Sequence, residues 1–153
     1  MSLNDGLITE MKLAAKAKDK TRLSTIRMMR ASIKNREIEK KRGLNDKEIV
    51  EIISRLARQA KESISQFNAG NRDDLVRKEE AELDILLSFL PKQLSKEEIG
   101  EKVKEVIKEI GATSIKDLGK VMKVIMGDLA GKVDGEVVNE VVRERLSKTT
   151  LNE

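Results

Sequence analysis

The sequence predicts an all-α protein, with an N-terminal four-helix unit followed by a small C-terminal three-helix bundle. Apolar residues recur at helical spacing along nearly the whole chain. Aromatic residues make up only 1% of its 153 residues, so any core is aliphatic, and such a composition is typical of helical bundles. The single proline, Pro91, disfavours helix at the residue before it and marks the boundary between the two units.

The N-terminal unit, residues 1–90, contains four predicted helices with expected bounds of 2–17, 19–41, 45–70 and 73–90. Gly43 is expected to end the second helix and Gly70 to close the third. Asp73 and Asp74 favour the start of the fourth, because anions stabilise a helix N-terminus. The inward positions are expected to be Leu3, Leu7, Ile8, Met11 and Ala15; Leu23, Ile26, Met29 and Ile33; Ile49, Ile52, Ile53, Leu56, Ala60, Ile64 and Phe67; and Leu75, Leu83, Leu86 and Leu90.

A short hinge at 91–95 leads into the C-terminal unit, residues 96–148. Ser95 is expected to begin this unit with a capping box, in which Glu98 answers the serine hydroxyl. Helices are predicted at 96–110, 115–130 and 136–147, and the tail at 149–153 is expected to be frayed. The inward positions are expected to be Ile99, Val103, Val106, Ile107 and Ile110; Leu118, Val121, Met122, Ile125 and Leu129; and Val137, Val138, Val141 and Val142.

The composition excludes most catalytic chemistry. The chain has no His and no Cys, so it lacks a Ser-His triad, a Cys-His pair and the usual zinc or iron ligands. No glycine-rich phosphate-binding or dinucleotide-binding motif is present. We therefore expect no cofactor, no metal and no catalytic residue. An enzyme would need a pocket of convergent carboxylates or lysines with perturbed pKa values.

The sequence also predicts where in the cell the protein is located. No apolar run approaches the ~20 residues that span a bilayer. The N-terminus lacks the basic-then-apolar order of a signal peptide, and the lack of Cys is compatible with a reducing compartment. On these grounds we expect a cytoplasmic protein without a membrane partner.

Positive charge is concentrated in the second predicted helix and its flanks. Residues 12–42 contain twelve basic side chains and three acidic ones, although the whole chain is only +4. Such an excess favours a polyanionic partner. Arg27, Arg30, Lys34 and Lys41 follow helical steps and share one strip, which suits contact with phosphates. Alternatively, these side chains pair with acids of neighbouring helices.

The helix predicted at 115–130 carries an unusual outward face. Opposite its apolar side lie Lys116, Gly119, Lys120, Lys123, Gly127 and Ala130. Each glycine inside a helix costs about 1 kcal/mol relative to alanine, so two of them on an outward face need a reason. Small residues admit a close backbone, and the lysines favour a phosphate backbone. The alternative is a surface on which another helix docks.

Glu79 falls within the apolar stripe of the fourth predicted helix. A carboxylate in that position needs a partner or a raised pKa. Arg72 and Arg77 are close in sequence, so we expect a structural ion pair rather than a catalytic acid.

Several segments together resemble the YqeY family, also called GatB/YqeY-domain proteins. They are IRMMRASIKN at 26–35, ESISQF at 62–67, RDDL at 72–75 with KE at 78–79, FLPKQL at 89–94, DLGKVM at 117–122 and GKVDG at 131–135. The resemblance covers nearly the whole chain. It departs at Ala60, where relatives often carry a basic residue, and at Val133, where they often carry alanine.

The resemblance implies a function. The family is similar to the C-terminal tail of the B subunit of tRNA-dependent aspartyl/glutamyl-tRNA amidotransferase, which holds tRNA while a separate domain forms the amide. We therefore expect a non-catalytic, tRNA-associated adjunct, whose partner is tRNA or a tRNA-aminoacylation protein. The resemblance also implies the label of a carbon–nitrogen ligase activity with glutamine as amido-N-donor, but we do not expect this chain alone to perform that chemistry. The RNA-binding residues would be Lys116, Gly119, Lys120, Lys123, Gly127 and Lys132, assisted by Arg27, Arg30 and Lys34. The alternative is a helical protein–protein interaction module that docks through the glycine face of helix 115–130.

Overall fold

The computed structural model describes residues 2–151, with side chains described up to 148, and this part of the chain is helical without any strand. The prediction of an all-α protein is confirmed. The helices are α1 (Leu3–Lys16), α2 (Lys20–Lys40), α3 (Asp46–Ala69), α4 (Asp73–Ser88), α5 (Lys96–Ile110), a 3₁₀ turn (Ile115–Asp117), α6 (Leu118–Asp128) and α7 (Gly135–Leu151). The chain divides into two compact units between Leu90 and Pro91.

The first unit contains α1 to α4. Helix α3 packs mainly against α4, α1 packs mainly against α2, and α2 also contacts α3 and α4. The Leu3 backbone N–H donates to Asp46 Oδ1 at 3.0 Å and so ties the start of α1 to the start of α3. The buried core is entirely aliphatic apart from one methionine and consists of Leu7, Ile26, Met29, Ile33, Ile49, Ile52, Ile53, Ala57, Ala60 and Leu86.

The second unit contains α5, the 3₁₀ turn, α6 and α7, which all pack around one small core. That core contains only aliphatic side chains: Ile99, Val103, Val106, Ala112, Val121, Ile125, Val133, Val138, Val141, Val142 and Leu146. The residues just before α5 also belong to this unit. The Leu94 N–H donates to the Lys132 carbonyl at 2.8 Å, and the Gln93 amide donates to the Gly131 carbonyl at 2.7 Å.

Local capping explains where the helices begin. Ser2, Asn45 and Ser95 each accept a hydrogen bond from the residue three positions on, and the side chain of that residue returns a bond to the cap backbone. At Ser95, Oγ accepts from the Glu98 N–H at 3.2 Å and Glu98 Oε1 accepts from the Ser95 N–H at 3.1 Å. The capping box predicted there is therefore confirmed.

Several helix boundaries differ from the sequence-based expectations. Helix α4 ends at Ser88 and not at residue 90. Helix α2 ends at Lys40, and the residue that stops it is Lys41, which adopts the left-handed conformation (φ 56°), and not Gly43. The helix predicted at 115–130 begins as a separate 3₁₀ turn and ends at Asp128. The tail expected to fray from residue 149 is helical up to Leu151, and Asn152 and Glu153 lie outside the described residues.

Two expected inward positions are exposed. On α1 the buried residue is Ala14, whereas Ala15 faces solvent. Ile110, the last residue of α5, is 40% exposed because the helix stops at Gly111, whose left-handed backbone turns the chain away.

Removing the Ser95 cap tests how much the second unit depends on it. We expect Ser95→Ala to lower the free energy of unfolding of the second unit by about 1 kcal/mol, because the Glu98 N–H loses its acceptor. Ser147→Ala is the control, since Ser147 is an exposed residue of α7. Urea titration followed by circular dichroism measures both variants, and equal midpoints for the two would contradict this account.

Candidate functional site

A basic groove lies along α2 in the first unit. Its volume is about 650 Å³, and its lining residues include five cations and one acid: Arg27, Arg30, Lys34, Lys41, Arg42 and Glu37. The strip predicted from Arg27, Arg30, Lys34 and Lys41 is thus brought together in one concavity, which we call the α2 groove. Asn4 of α1 also lines it. That residue could not be found from sequence spacing, because only the packing of α1 on α2 brings it there.

The cations of the α2 groove differ in their surroundings. Arg30 is half-buried, and its Nη1 donates to Met11 Sδ at 3.4 Å. Arg27, Lys34 and Lys41 are exposed. None of these four forms an ion pair with any residue in the described part of the chain. The alternative interpretation of the strip, pairing with acids of neighbouring helices, therefore finds no support in that part of the chain.

Arg42 is the exception, because Glu48 neutralises it. Its Nη1 and Nη2 donate to Glu48 Oε1 and Oε2 at 2.8 and 3.0 Å, and Lys40 also donates to Oε2. The Asn45 backbone N–H donates to Oε1 at 3.2 Å. Arg42, Lys40 and the Asn45 N–H together hold the pKa of Glu48 well below its usual range.

The glycine face of the second unit is exposed as expected. Lys120, Lys123, Gly119 and Gly127 are exposed on α6. A Cβ built on either glycine would meet no atom within 4 Å, and neither glycine has a positive φ. Nothing described in this unit therefore requires glycine at these two positions.

The remaining residues predicted for this face lie off the helix. Lys116 is exposed in the 3₁₀ turn, and Lys132 is exposed beyond the end of α6. Ala130 also lies beyond α6 and is half-buried, so its predicted place on the helical stripe is wrong. We call Lys116, Gly119, Lys120, Lys123, Gly127 and Lys132 the α6 face. Its lysines form no ion pair with the residues that the structure describes.

Two acids, Asp117 and Asp128, lie at the two ends of α6. Asp117 accepts from the Thr113 and Ser114 backbone N–H groups at 2.9 and 3.4 Å, which lowers its pKa; the nearby charge of Lys120 acts in the same direction. Asp117 is therefore an anion held by its own loop. Asp128, at the other end of α6, pairs with Lys102 at 3.8 Å.

One residue expected to pair with Glu79, Arg72, has a different partner in the structure. Arg72 pairs with Asp74 at 3.2 Å, and this contact lowers the pKa of Asp74. Glu79 is half-buried on α4, and its pairing with Arg77 stays a prediction. Burial, with the negative charge of Glu79 in second place, raises the pKa of the neighbouring Glu82. Glu82 is not among the residues predicted from the sequence.

The described residues contain neither a cluster of metal ligands nor a helix that could span a membrane. Across residues 2–151, no three carboxylates lie close enough together to bind a metal ion. Within the same range, no helix combines the length and the apolar character needed to cross a membrane.

The helices and their surfaces define a small, all-helical, two-unit protein whose exposed functional candidates are basic. A family model described as Yqey-like protein matches residues 4–146. The chain belongs to the YqeY family, and the resemblance drawn from its sequence segments is confirmed.

Curated relatives are named "Altered inheritance of mitochondria protein 41, mitochondrial". The protein from Vanderwaltozyma polyspora is 37% identical over 120 residues, which is 74% of this chain and 65% of the relative. The protein from Saccharomyces cerevisiae strain YJM789 is 34% identical over 122 residues, or 78% of this chain and 65% of the relative. The Lachancea thermotolerans protein is 36% identical over 104 residues, or 66% and 56%. The chain thus spans less than two thirds of the length of these relatives.

These names contradict the expected cytoplasmic location. The relatives are named as mitochondrial proteins, so the inference from the N-terminus and from the lack of Cys is wrong. A lack of Cys reports a reducing environment at most, and that property does not single out the cytoplasm.

The charge on Glu48 offers a test of the electrostatics at the end of the α2 groove. A carboxylate whose pKa is lowered by folding stabilises the protein above its unfolded pKa of about 4.3, and this stabilisation is lost as the pH falls towards the folded pKa. We expect Glu48→Gln, which can still close the capping box, to be less stable than wild type at pH 7. The difference should shrink steadily below about pH 4.

Chemical denaturation across this pH range measures the effect. Glu62→Gln, which removes an exposed glutamate from the same helix, is the control and should show a smaller difference at pH 7. A Glu48→Gln defect that is constant from pH 7 to pH 2 would show that the ion pairs do not cause it.

The open space above the glycines gives a second test. We expect Gly119→Ala and Gly127→Ala each to stabilise the second unit by about 0.5–1 kcal/mol, because alanine restricts the unfolded chain and meets no neighbour. Gly111→Ala is the contrasting control and should destabilise, since Gly111 has a φ of 67°. Thermal unfolding distinguishes the two classes, and destabilisation by all three would mean that the α6 face is packed.

Proposed function

We propose that this chain is a non-catalytic, tRNA-associated adjunct that holds RNA by its phosphate backbone through the α6 face. One observation carries the proposal: α6 and its two flanks present four exposed lysines without ion pairs among the described residues, together with two helical glycines that have open space above them. Arg27, Arg30 and Lys34 of the α2 groove are proposed to assist.

The chemistry of the α6 face suits a backbone ligand. Lysines neutralise phosphates as point charges and release counterions, which is the sequence-independent part of nucleic-acid binding. The glycines remove the side chains that would otherwise keep a sugar-phosphate strand at a distance. The chain has no Trp or Tyr, and its two phenylalanines are half-buried. No exposed aromatic ring is therefore described on which an RNA base could stack.

Family resemblance gives the RNA its proposed class. The YqeY family is similar to the tRNA-holding tail of an amidotransferase, so tRNA, or a protein of tRNA aminoacylation, is the proposed partner. The amide-forming chemistry belongs to another domain of that enzyme. We therefore propose no carbon–nitrogen ligase activity for this chain.

Titration with bulk tRNA at several salt concentrations tests the proposal. We expect saturable binding at low salt that weakens steeply as salt rises. In Lys120→Ala/Lys123→Ala, the affinity should fall and the slope of log K against log salt should decrease by about two, one for each lost phosphate contact.

The matched control is Lys104→Ala/Lys108→Ala. These two lysines are exposed on α5 of the same unit, and three glutamates line the same surface. The control removes the same charge, so it should bind tRNA nearly as wild type does. Equal losses of tRNA affinity in the two double variants would show that only the net charge of the protein matters. If wild type showed no saturable binding at low salt, the proposal would be refuted.

A second candidate function is docking of a partner helix on the α6 face. The open glycines favour it, because small residues on an exposed helical face let another backbone approach closely. The two functions differ in their response to salt, since a docked helix relies on packing rather than on counterion release. If Lys120→Ala/Lys123→Ala left tRNA binding unchanged while Gly127→Leu removed a protein partner, docking would be the favoured function.

A further inference from the structure

The α2 groove is concave, and its positive charge is concentrated at one end. Glu37 is the one acid among its described lining residues, and Glu37 Oε2 lies 3.5 Å from where a Cβ of Gly43 would be, at the Lys41 end. Arg42, at that same end, is already neutralised by Glu48. Arg27, Arg30 and Lys34 are left as a cationic row without an acid between them.

The spacing of this row suits a chain of anions. At a rise of about 1.5 Å per residue, Arg27 and Lys34 are separated by roughly 10 Å along the helix axis, with Arg30 between them. One carboxylate could contact only part of such a row. Two or three successive phosphate groups could contact all of it, and a guanidinium matches phosphate oxygens through paired hydrogen bonds.

The depth of the row distinguishes a chain from a flat surface. Arg30 is half-buried and its guanidinium is held by the contact with Met11, whereas Arg27 and Lys34 are exposed on either side of it. A planar bilayer surface would meet the two exposed cations before it reached Arg30. A narrow phosphate chain could enter the groove and contact all three, and Ala31 leaves it space because its side chain is small.

We propose that the α2 groove is a binding site for a phosphate chain of two or three successive phosphates, with Arg30 at its centre. The ligand is either a free oligophosphate or a segment of RNA backbone. Bases play no part, because no aromatic side chain lines the groove. The site belongs to the first unit and deepens the assisting role proposed above for Arg27, Arg30 and Lys34, but its test does not depend on tRNA binding at the α6 face.

Ala31 allows the groove to be neutralised without removing any cation. It is exposed on α2, four residues after Arg27 and three before Lys34, so a glutamate there would reach both. We expect wild-type protein to bind sodium tripolyphosphate saturably at low salt in isothermal titration calorimetry. Ala31→Glu should weaken this binding by more than about tenfold, whereas Ala31→Gln, which has the same shape without the charge, should stay within about twofold.

Further arms of the experiment identify the source of the phosphates and separate the two proposals. A short single-stranded oligoribonucleotide that displaces tripolyphosphate would assign the site to RNA backbone, and a failure to displace it would assign the site to a free oligophosphate. Lys120→Ala/Lys123→Ala should keep the wild-type affinity for tripolyphosphate even if it loses tRNA. The inference is overturned if tripolyphosphate does not bind, if Ala31→Glu binds it like wild type, or if Ala31→Glu impairs only binding to anionic phospholipid vesicles.

Discussion

Aliphatic packing between helices is the constraint on which the rest of this protein depends. Among the residues whose side chains the structure describes, the buried ones of the second unit are only Ile, Val, Leu and Ala, and those of the first differ by a single methionine and a threonine. A unit of roughly sixty residues buries a modest share of its surface and is only marginally stable. Contributions of about 1 kcal/mol from caps and helix propensity therefore form a large part of its stability.

This narrow margin makes the two open glycines informative. Replacing them with alanine creates no clash and removes a conformational cost, so stability alone favours alanine at both positions. A marginally stable unit that keeps both glycines on an exposed, lysine-rich face retains a cost that its own packing does not require. Close approach of a partner backbone supplies a physical reason for that cost, and the same logic applies whether the backbone is RNA or protein.

Local chemistry decided which parts of the fold could be predicted from the sequence. The Ser95 capping box and the α5 bounds depend on neighbouring residues alone, and the structure agrees with both. The predicted end of α2 was within one residue of the observed one, but Gly43 was wrongly chosen as the residue that stops the helix, because a lysine, Lys41, takes the left-handed position that glycine usually occupies. The buried alanine of α1 is Ala14 and not the predicted Ala15. Neighbouring residues of a helix differ in direction by about 100°, so an error of one residue moves a position from the core to the surface.

The candidate sites show the same division. Helical steps place Arg27, Arg30 and Lys34 on one strip, and that inference needs only the period of the helix. Asn4 lines the same groove because α1 packs on α2. Glu48 neutralises Arg42 because the end of α2 contacts the start of α3. No periodicity within one helix reports such contacts. Location proved less predictable still, since the mitochondrial names of the relatives contradict an inference from composition.

The distribution of acids explains why these surfaces stay positively charged. With 27 acidic and 31 basic residues, the chain carries almost enough carboxylates to neutralise itself. Three acids near these surfaces are nevertheless bound by other groups: Glu48 by Arg42 and Lys40, Asp117 by its own loop, and Asp128 by Lys102. Glu37 stays in the α2 groove, at its Lys41 end. Each of the contacts of Glu48, Asp117 and Asp128 stabilises a helix end or a junction and occupies a carboxylate that could otherwise pair with an exposed cation. Capping and positive potential thus arise from the same placement of acids, so a partner that binds these cations does not have to displace a carboxylate first.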